Sequence, residues 1–154
     1  MKAHAGVEGV QEQGCWALRN LSSNNDAIKV KTAELGGIEA VLAGMKAHAG
    51  AAGVQVAGCR ALGHLCVGNT DNQVKVAVLG GIEVVVAGMQ KPAGVEGVQH
   101  EGCWALSILC ANADNVERMK VLGTVRAVVE SAMAANPSDA NVQRLGQEVL
   151  GKLA

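Results

Sequence analysis

A chain of 154 residues suits one compact domain or a short array of repeats. Its formal net charge of −1, with 18% charged and 49% hydrophobic residues, gives no bulk pull toward nucleic acid or an anionic membrane, both of which favour basic surfaces. Two Trp, no Tyr and no Phe leave Ala, Val, Leu, Ile and Met to fill the interior, so the elements must approach closely.

The opening stretch, MKAHAGVEGVQEQ, lacks the apolar core of a secretory signal, and no run of ~18 apolar residues follows. Five Cys, at 15, 59, 66, 103 and 110, make an odd set without a CxxC. They read as reduced, buried thiols of a cytoplasmic or nuclear protein. Glycine is abundant, at 20 residues, and is not clustered as in a flexible linker, so each needs a structural reason.

The chain repeats itself. Residues 1–44 laid over 45–88 need no gap and share 26 identities, with Cys15, Cys59 and Cys103 spaced by 44. The phrase GCWAL at 14–18 returns as GCRAL at 58–62 and as GCWAL at 102–106. Val10-Gln11, Val54-Gln55 and Val98-Gln99 keep the same spacing.

In chain order, residues 1–22 read as a partial unit that ends in one long helix, with Cys15, Leu18 and Leu21 facing the core at i, i+3 spacing. The next unit, 23–66, opens with NNDAIKVKTAELGG, whose Asn and Asp are good N-cap residues. Ile28, Val30 and Leu35 are its apolar positions, and Gly36-Gly37 end it as a short helix with a glycine turn. IEAVLAGMKAH follows, with Ile38, Val41, Leu42 and Met45 at i, i+3, i+4 and i+7, one helix face. After a break at Ala49-Gly50 comes a longer helix over Gly53 to Cys66. Its apolar set is Val54, Gly58, Leu62 and Leu65, with Cys59 and Ala61 alongside.

Residues 67–110 repeat this plan, with Pro92 and Gly94 at the second break. Residues 111–154 are a divergent copy or cap. It loses one residue near Ala113 to Asn115 and regains one before Asn141. Gly14, Gly58, Gly102 and Gly146 share one mid-helix position. A glycine there costs ~1 kcal/mol relative to Ala, so a neighbouring helix backbone is expected to approach closely.

The glycine turns Gly36-Gly37 and Gly80-Gly81, with the third-helix phrase QEQGCWALRNL at 11–21, resemble the armadillo repeat family over essentially the whole chain. HEAT repeats are the other candidate, but lack the short first helix. The resemblance implies an all-α, right-handed α-solenoid of three-helix repeats in a single domain. It also implies a concave groove lined by the third helices. In that family, Trp and the Asn four residues later form a ladder that grips extended peptides. The amide of Asn can pair with both backbone groups of a peptide unit, and the indole offers apolar walls and cation–π sites.

Carried onto this sequence, Trp16 and Asn20 form a complete rung. Arg60 and His64 replace both members of the next, the third keeps Trp104 but has Ile108 in place of the Asn, and Glu148 and Lys152 stand in the fourth. Glu12 and Gln13, Val56 and Ala57, His100 and Glu101, and Arg144 and Leu145 flank the rungs in turn, and Arg19 shares the Trp16 face. Each Trp has two readings, ligand contact or packing on the adjacent third helix. The charges are mixed, unlike the acidic-rimmed groove that reads basic nuclear-import signals.

Chemistry finds no home here. A cysteine repeated on three successive rungs is what packing produces, and Cys66 and Cys110 lie at helix C-termini, which raise thiol pKa. His64, His100 and Glu101 are the one set of ligand-type side chains on neighbouring rungs. No HExxH, Walker or dinucleotide-binding motif occurs, so no enzyme, metal or cofactor is expected. The expected function is a protein–protein interaction module holding an extended peptide or protein segment. The alternative is a structural scaffold that self-associates through its uncovered repeat ends, natural or designed. The start partway through a unit fits a fragment of a longer array or an engineered chain. Without a basic stripe, nucleic acid is not an expected partner.

Overall fold

The computed structural model describes residues 1–91 and 94–154. The break expected at Pro92 lies outside the described residues. Those residues form one 3-10 turn, Lys2–His4, and ten α-helices, with no strand among them. The helices are α1 (Glu8–Ser22), α2 (Asp26–Glu34), α3 (Gly37–Ala47), α4 (Ala52–Cys66), α5 (Thr70–Val78), α6 (Gly81–Gln90), α7 (Glu96–Leu109), α8 (Ala113–Leu122), α9 (Thr124–Ala135) and α10 (Ala140–Lys152).

The sequence sets these boundaries locally. Asn25, Asn69 and Asn112 each cap a short helix, accepting a hydrogen bond from the backbone N–H three residues on, at 3.1, 2.9 and 3.1 Å. Gly36 and Gly80 then turn the chain in the left-handed region, at φ of 80° and 79°, which a side chain would strain.

The long helices α1, α4, α7 and α10 pack side by side in chain order. Helices α3, α6 and α9 form a second row, and α5 packs on α8. The extensive packing is between elements of one helix triplet or of adjacent triplets, as in a helical repeat. Ile38, Val41, Leu42 and Met45 are all buried, as are Val54, Cys59, Ala61, Leu62 and Leu65.

Ion pairs stitch the outer rows. The Lys75 ammonium reaches Glu39 at 2.9 Å, and one triplet later Arg118 reaches Glu83 at 2.7 Å. The Asn72 and Asn115 amides donate to the carbonyls of Lys29 and Gln73 in the preceding triplet.

Four findings revise the sequence reading. The first concerns the mid-helix glycines, which admit methionine side chains rather than a backbone. A Cβ on Gly14, Gly58, Gly102 or Gly146 would lie 2.5 Å from a side-chain atom of Met1, Met45, Met89 or Met133 respectively. Methionine is unbranched and fits such a slot.

Second, the repeated glutamines have a structural role. Gln55 Nε2 donates to the carbonyls of Met45 and His48 at 2.9 and 3.0 Å, closing the end of α3. Gln11 does the same to Met1 and His4, and Gln143 to Met133 and Asn136. Gln99 donates to Met89 at 2.8 Å. These bonds satisfy carbonyls that a helix end leaves open.

Third, apolar period alone misplaced three residues. Leu21 is 57% exposed, whereas Leu65 and Leu109 at the same repeat position are 0% and 1% exposed. Val30 and Leu35 are exposed too, while Lys29 and Ala33 take the inner side of α2. Fourth, the residue lost in the last copy lies earlier than expected. Asn112 caps α8 as Asn69 caps α5, so the α7–α8 turn is shortened and omits the counterpart of Gly68.

Candidate functional site: the face of the long-helix row

Positions three and four apart share one helix face. On α1 that places Glu12, Gln13, Trp16, Arg19 and Asn20 together, and the neighbouring long helices add Arg60, His64, His100, Glu101 and Trp104. A shallow depression of about 240 Å³ lies on this face, lined by Arg19, Arg60, His64, His100, Glu101, Trp104, Asn141, Arg144 and Leu145. It draws on α1, α4, α7 and α10.

Trp16 and Trp104 are both half-buried and packed against the core. The Arg60 guanidinium sits over the Trp16 ring, 5.5 Å from its centre, within cation–π range. The Trp104 ring occupies the space that a side chain at Gly63 would need, and lies 5.2 Å from the His64 ring at 60°. Each indole therefore packs on α4 and keeps part of its surface open.

The polar groups form a chain across rungs. Arg60 Nε donates to Glu101 Oε1 at 2.8 Å, and His100 Nδ1 lies 3.2 Å from the same oxygen. Glu101, expected as a groove carboxylate, is only 5% exposed and already partnered. Arg19 Nε donates to His64 Nε2 at 3.2 Å, and Arg19 Nη1 to Asn20 Oδ1 at 3.0 Å. His64 thus neighbours Arg19 and Trp104. Burial holds its pKa below the ordinary 6.5, and the charges of Arg19, Arg60 and Lys29 lower it further.

Of the expected residues, Arg60, His64, His100, Glu101 and Trp104 line the depression. Trp16 adjoins it through Arg60, while Glu12, Gln13, Asn20 and Glu148 do not line it. Gln13 and Asn20 are exposed, and Glu148 lies 3.7 Å from Arg144 one helical turn away. Arg19, on the Trp16 face, and the flanking Arg144 and Leu145 also line the depression, and Asn141, which no sequence signal marked, completes the rim. The signal for Arg19 was its place one turn beyond Trp16.

The five thiols are buried. Burial pushes Cys15, Cys66 and Cys103 up to about 12 and Cys110 to about 11, and raises Cys59 further still. Such thiols are neither nucleophiles nor ready metal ligands at neutral pH. Among the described residues, no group of three or more His, Cys, Asp or Glu is placed to hold a metal ion. No single helix there is long and apolar enough to cross a membrane. Helices α5 and α6 would reach that length only together, and they are bent by 69° where they meet.

The fold and the site together define an all-α chain of repeated helix packing, with a shallow polar-aromatic face along its long-helix row. Comparison with family models, with curated proteins and with solved structures returned no match.

Proposed function

We propose that this chain is a protein–protein interaction module of armadillo type, a right-handed solenoid that holds an extended segment along its long-helix row. One observation carries the reading. Side chains from four successive long helices converge on a single depression, with a half-exposed indole at its edge. An extended segment crossing the rungs would meet indole faces, guanidinium stems and hydrogen-bonding groups in succession. That combination favours binding over catalysis, as the potential nucleophiles are buried with raised pKa. Thiols kept this way suit a reducing compartment, cytoplasmic or nuclear.

The test is titration of the full chain with peptide pools, read by Trp fluorescence and calorimetry. Trp104→Ala should weaken capture at least tenfold, a loss of ~1.4 kcal/mol, with the helical circular dichroism retained. Binding that is indifferent to Trp16→Ala, Trp104→Ala and Arg60→Ala alike would sink the groove reading.

Exposed Leu21 supports a second reading, self-association through the end of the stack. Sedimentation across a concentration series tests it. A monomer at every concentration, unchanged by Leu21→Lys, would remove it.

A further inference from the structure

The charges of this face are not evenly mixed once their partners are counted. The chain as a whole carries a formal charge of −1, yet the depression is lined by three guanidinium groups and one carboxylate. That carboxylate, Glu101, is buried and taken by Arg60. Arg60 is itself committed, to Glu101 on one side and to the Trp16 ring on the other. The remaining positive charge belongs to Arg19 and Arg144.

Neither has a strong acidic partner. A guanidinium has five N–H donors. Arg19 spends them on a neutral imidazole and an amide oxygen, and no carboxylate lies within ion-pair distance of it among the described residues. Arg144 lies 3.7 Å from Glu148 on its own helix, with its side chain 65% exposed. Surface pairs of this kind contribute little and are easily exchanged. His100 uses Nδ1 on Glu101, and no bond from its other ring nitrogen to the protein exists among the described residues. Asn141 adds an exposed amide at the α10 rim.

We infer that the segment held on this face is anionic, and that the guanidinium groups of Arg19 and Arg144 receive its carboxylate or phosphate-ester side chains. This rests on the groove reading above and adds the chemistry of the ligand. Planar guanidinium groups pair with both oxyacids through two parallel N–H···O bonds. A depression of about 240 Å³ has room for a side chain or two rather than a folded surface. The Trp104 indole flanks the cations and would cover the aliphatic stem of the incoming residue.

The experiment uses the full chain and four labelled peptide pools of equal length, titrated by fluorescence anisotropy at low and physiological salt. One pool is rich in Glu, one in phosphoserine, one in Lys and one is uncharged. The Glu pool, the phosphoserine pool or both should bind, more tightly at low salt. Arg144→Glu should weaken that binding by about tenfold, because its partner is lost and a repulsive charge gained. Arg19→Gln should weaken it less, and Lys46→Glu, on the exposed side of α3, should leave it unchanged. Arg144 is exposed, so its variant should fold, and a melt confirms this. The ratio of Glu to phosphoserine binding identifies which oxyacid is the natural one. Equal or tighter binding of the Lys or uncharged pool, still weakened by Trp104→Ala, would overturn the anionic assignment and leave the groove standing. No binding by any pool would overturn both.

Discussion

Gly58 and Arg60 lie two residues apart on α4, yet they belong to regions that obey different rules. The glycine has counterparts at 14, 102 and 146, each matched by a methionine from earlier in the chain. Arg60 aligns with Trp16, Trp104 and Glu148, four positions with three different side chains. The inner region poses the same steric problem at every rung, so its solution is repeated. The outer region has no such constraint, and its side chains answer to whatever lies across it.

The contrast can be broken most severely at the glycine. Gly58→Val should cost about 3 kcal/mol or more, since a branched side chain would overlap Met45 in a packed core. For a chain of this size that lowers the melting temperature by roughly 6–12 °C. Gly58→Ala should cost less, as ~1 kcal/mol of helix propensity offsets part of the overlap of its single methyl with Met45 Cγ and Sδ at 2.5 Å. Met45→Ala combined with Gly58→Val should recover part of the loss, and a double-mutant cycle by thermal melt would measure the coupling. An additive cycle would show that the two residues do not share the slot.

Next in size is the one place where the outer region dips inward. Arg60→Leu would leave the Glu101 carboxylate buried without its guanidinium, at a cost of about 3 kcal/mol. The variant Arg60→Leu/Glu101→Gln should recover most of it. Gln55→Leu should cost about 1–3 kcal/mol by orphaning the Met45 and His48 carbonyls, whereas Gln13→Leu, on the exposed face, should change stability by less than about 0.5 kcal/mol. Chemical denaturation of both variants checks the difference. If Gln13→Leu proved as costly, the division into two regions would fail.

The smallest effect is a pH dependence. His64 faces Arg19 from α1, Lys29 from α2, Trp104 with His100 and Glu101 from α7, and Arg144 from α10, with Arg60 on its own helix. Burial and these cations hold its folded-state pKa below the ordinary 6.5, so the unfolded chain takes up the proton first. Its contribution is therefore complete above about pH 6.5 and is lost as pH falls through the lower, folded-state pKa. Melts of the native chain and His64→Gln between pH 5 and 8 should converge at the acid end. Parallel profiles would show that His64 is not responsible.

Much of the inner region was legible in the sequence. The i, i+3, i+4, i+7 spacing placed Ile38, Val41, Leu42 and Met45 on the buried side of α3 from local period alone. Asn25 and the glycine turn at Gly36 marked the ends of α2 with equal economy. Residues whose surroundings are set by another triplet were not legible. The partner of Gly58 is 13 residues upstream, and the partner of Glu101 is 41 residues upstream. Period also says which way Leu21 points, but not whether anything lies there. On the candidate face, the rungs were readable, and the direction in which His64 leans across them was not.

The glutamine bonds have a consequence for length. Each amide grips the carbonyl ten residues before it, so one fastener recurs ahead of every long helix. Residues 45–88 begin with a methionine that follows Gly44, and the chain beyond them resumes with a methionine that follows Gly88. A chain with that stretch inserted a second time in tandem would present matching surfaces at both joins. The polypeptide is in this sense a ruler that can be extended one graduation at a time.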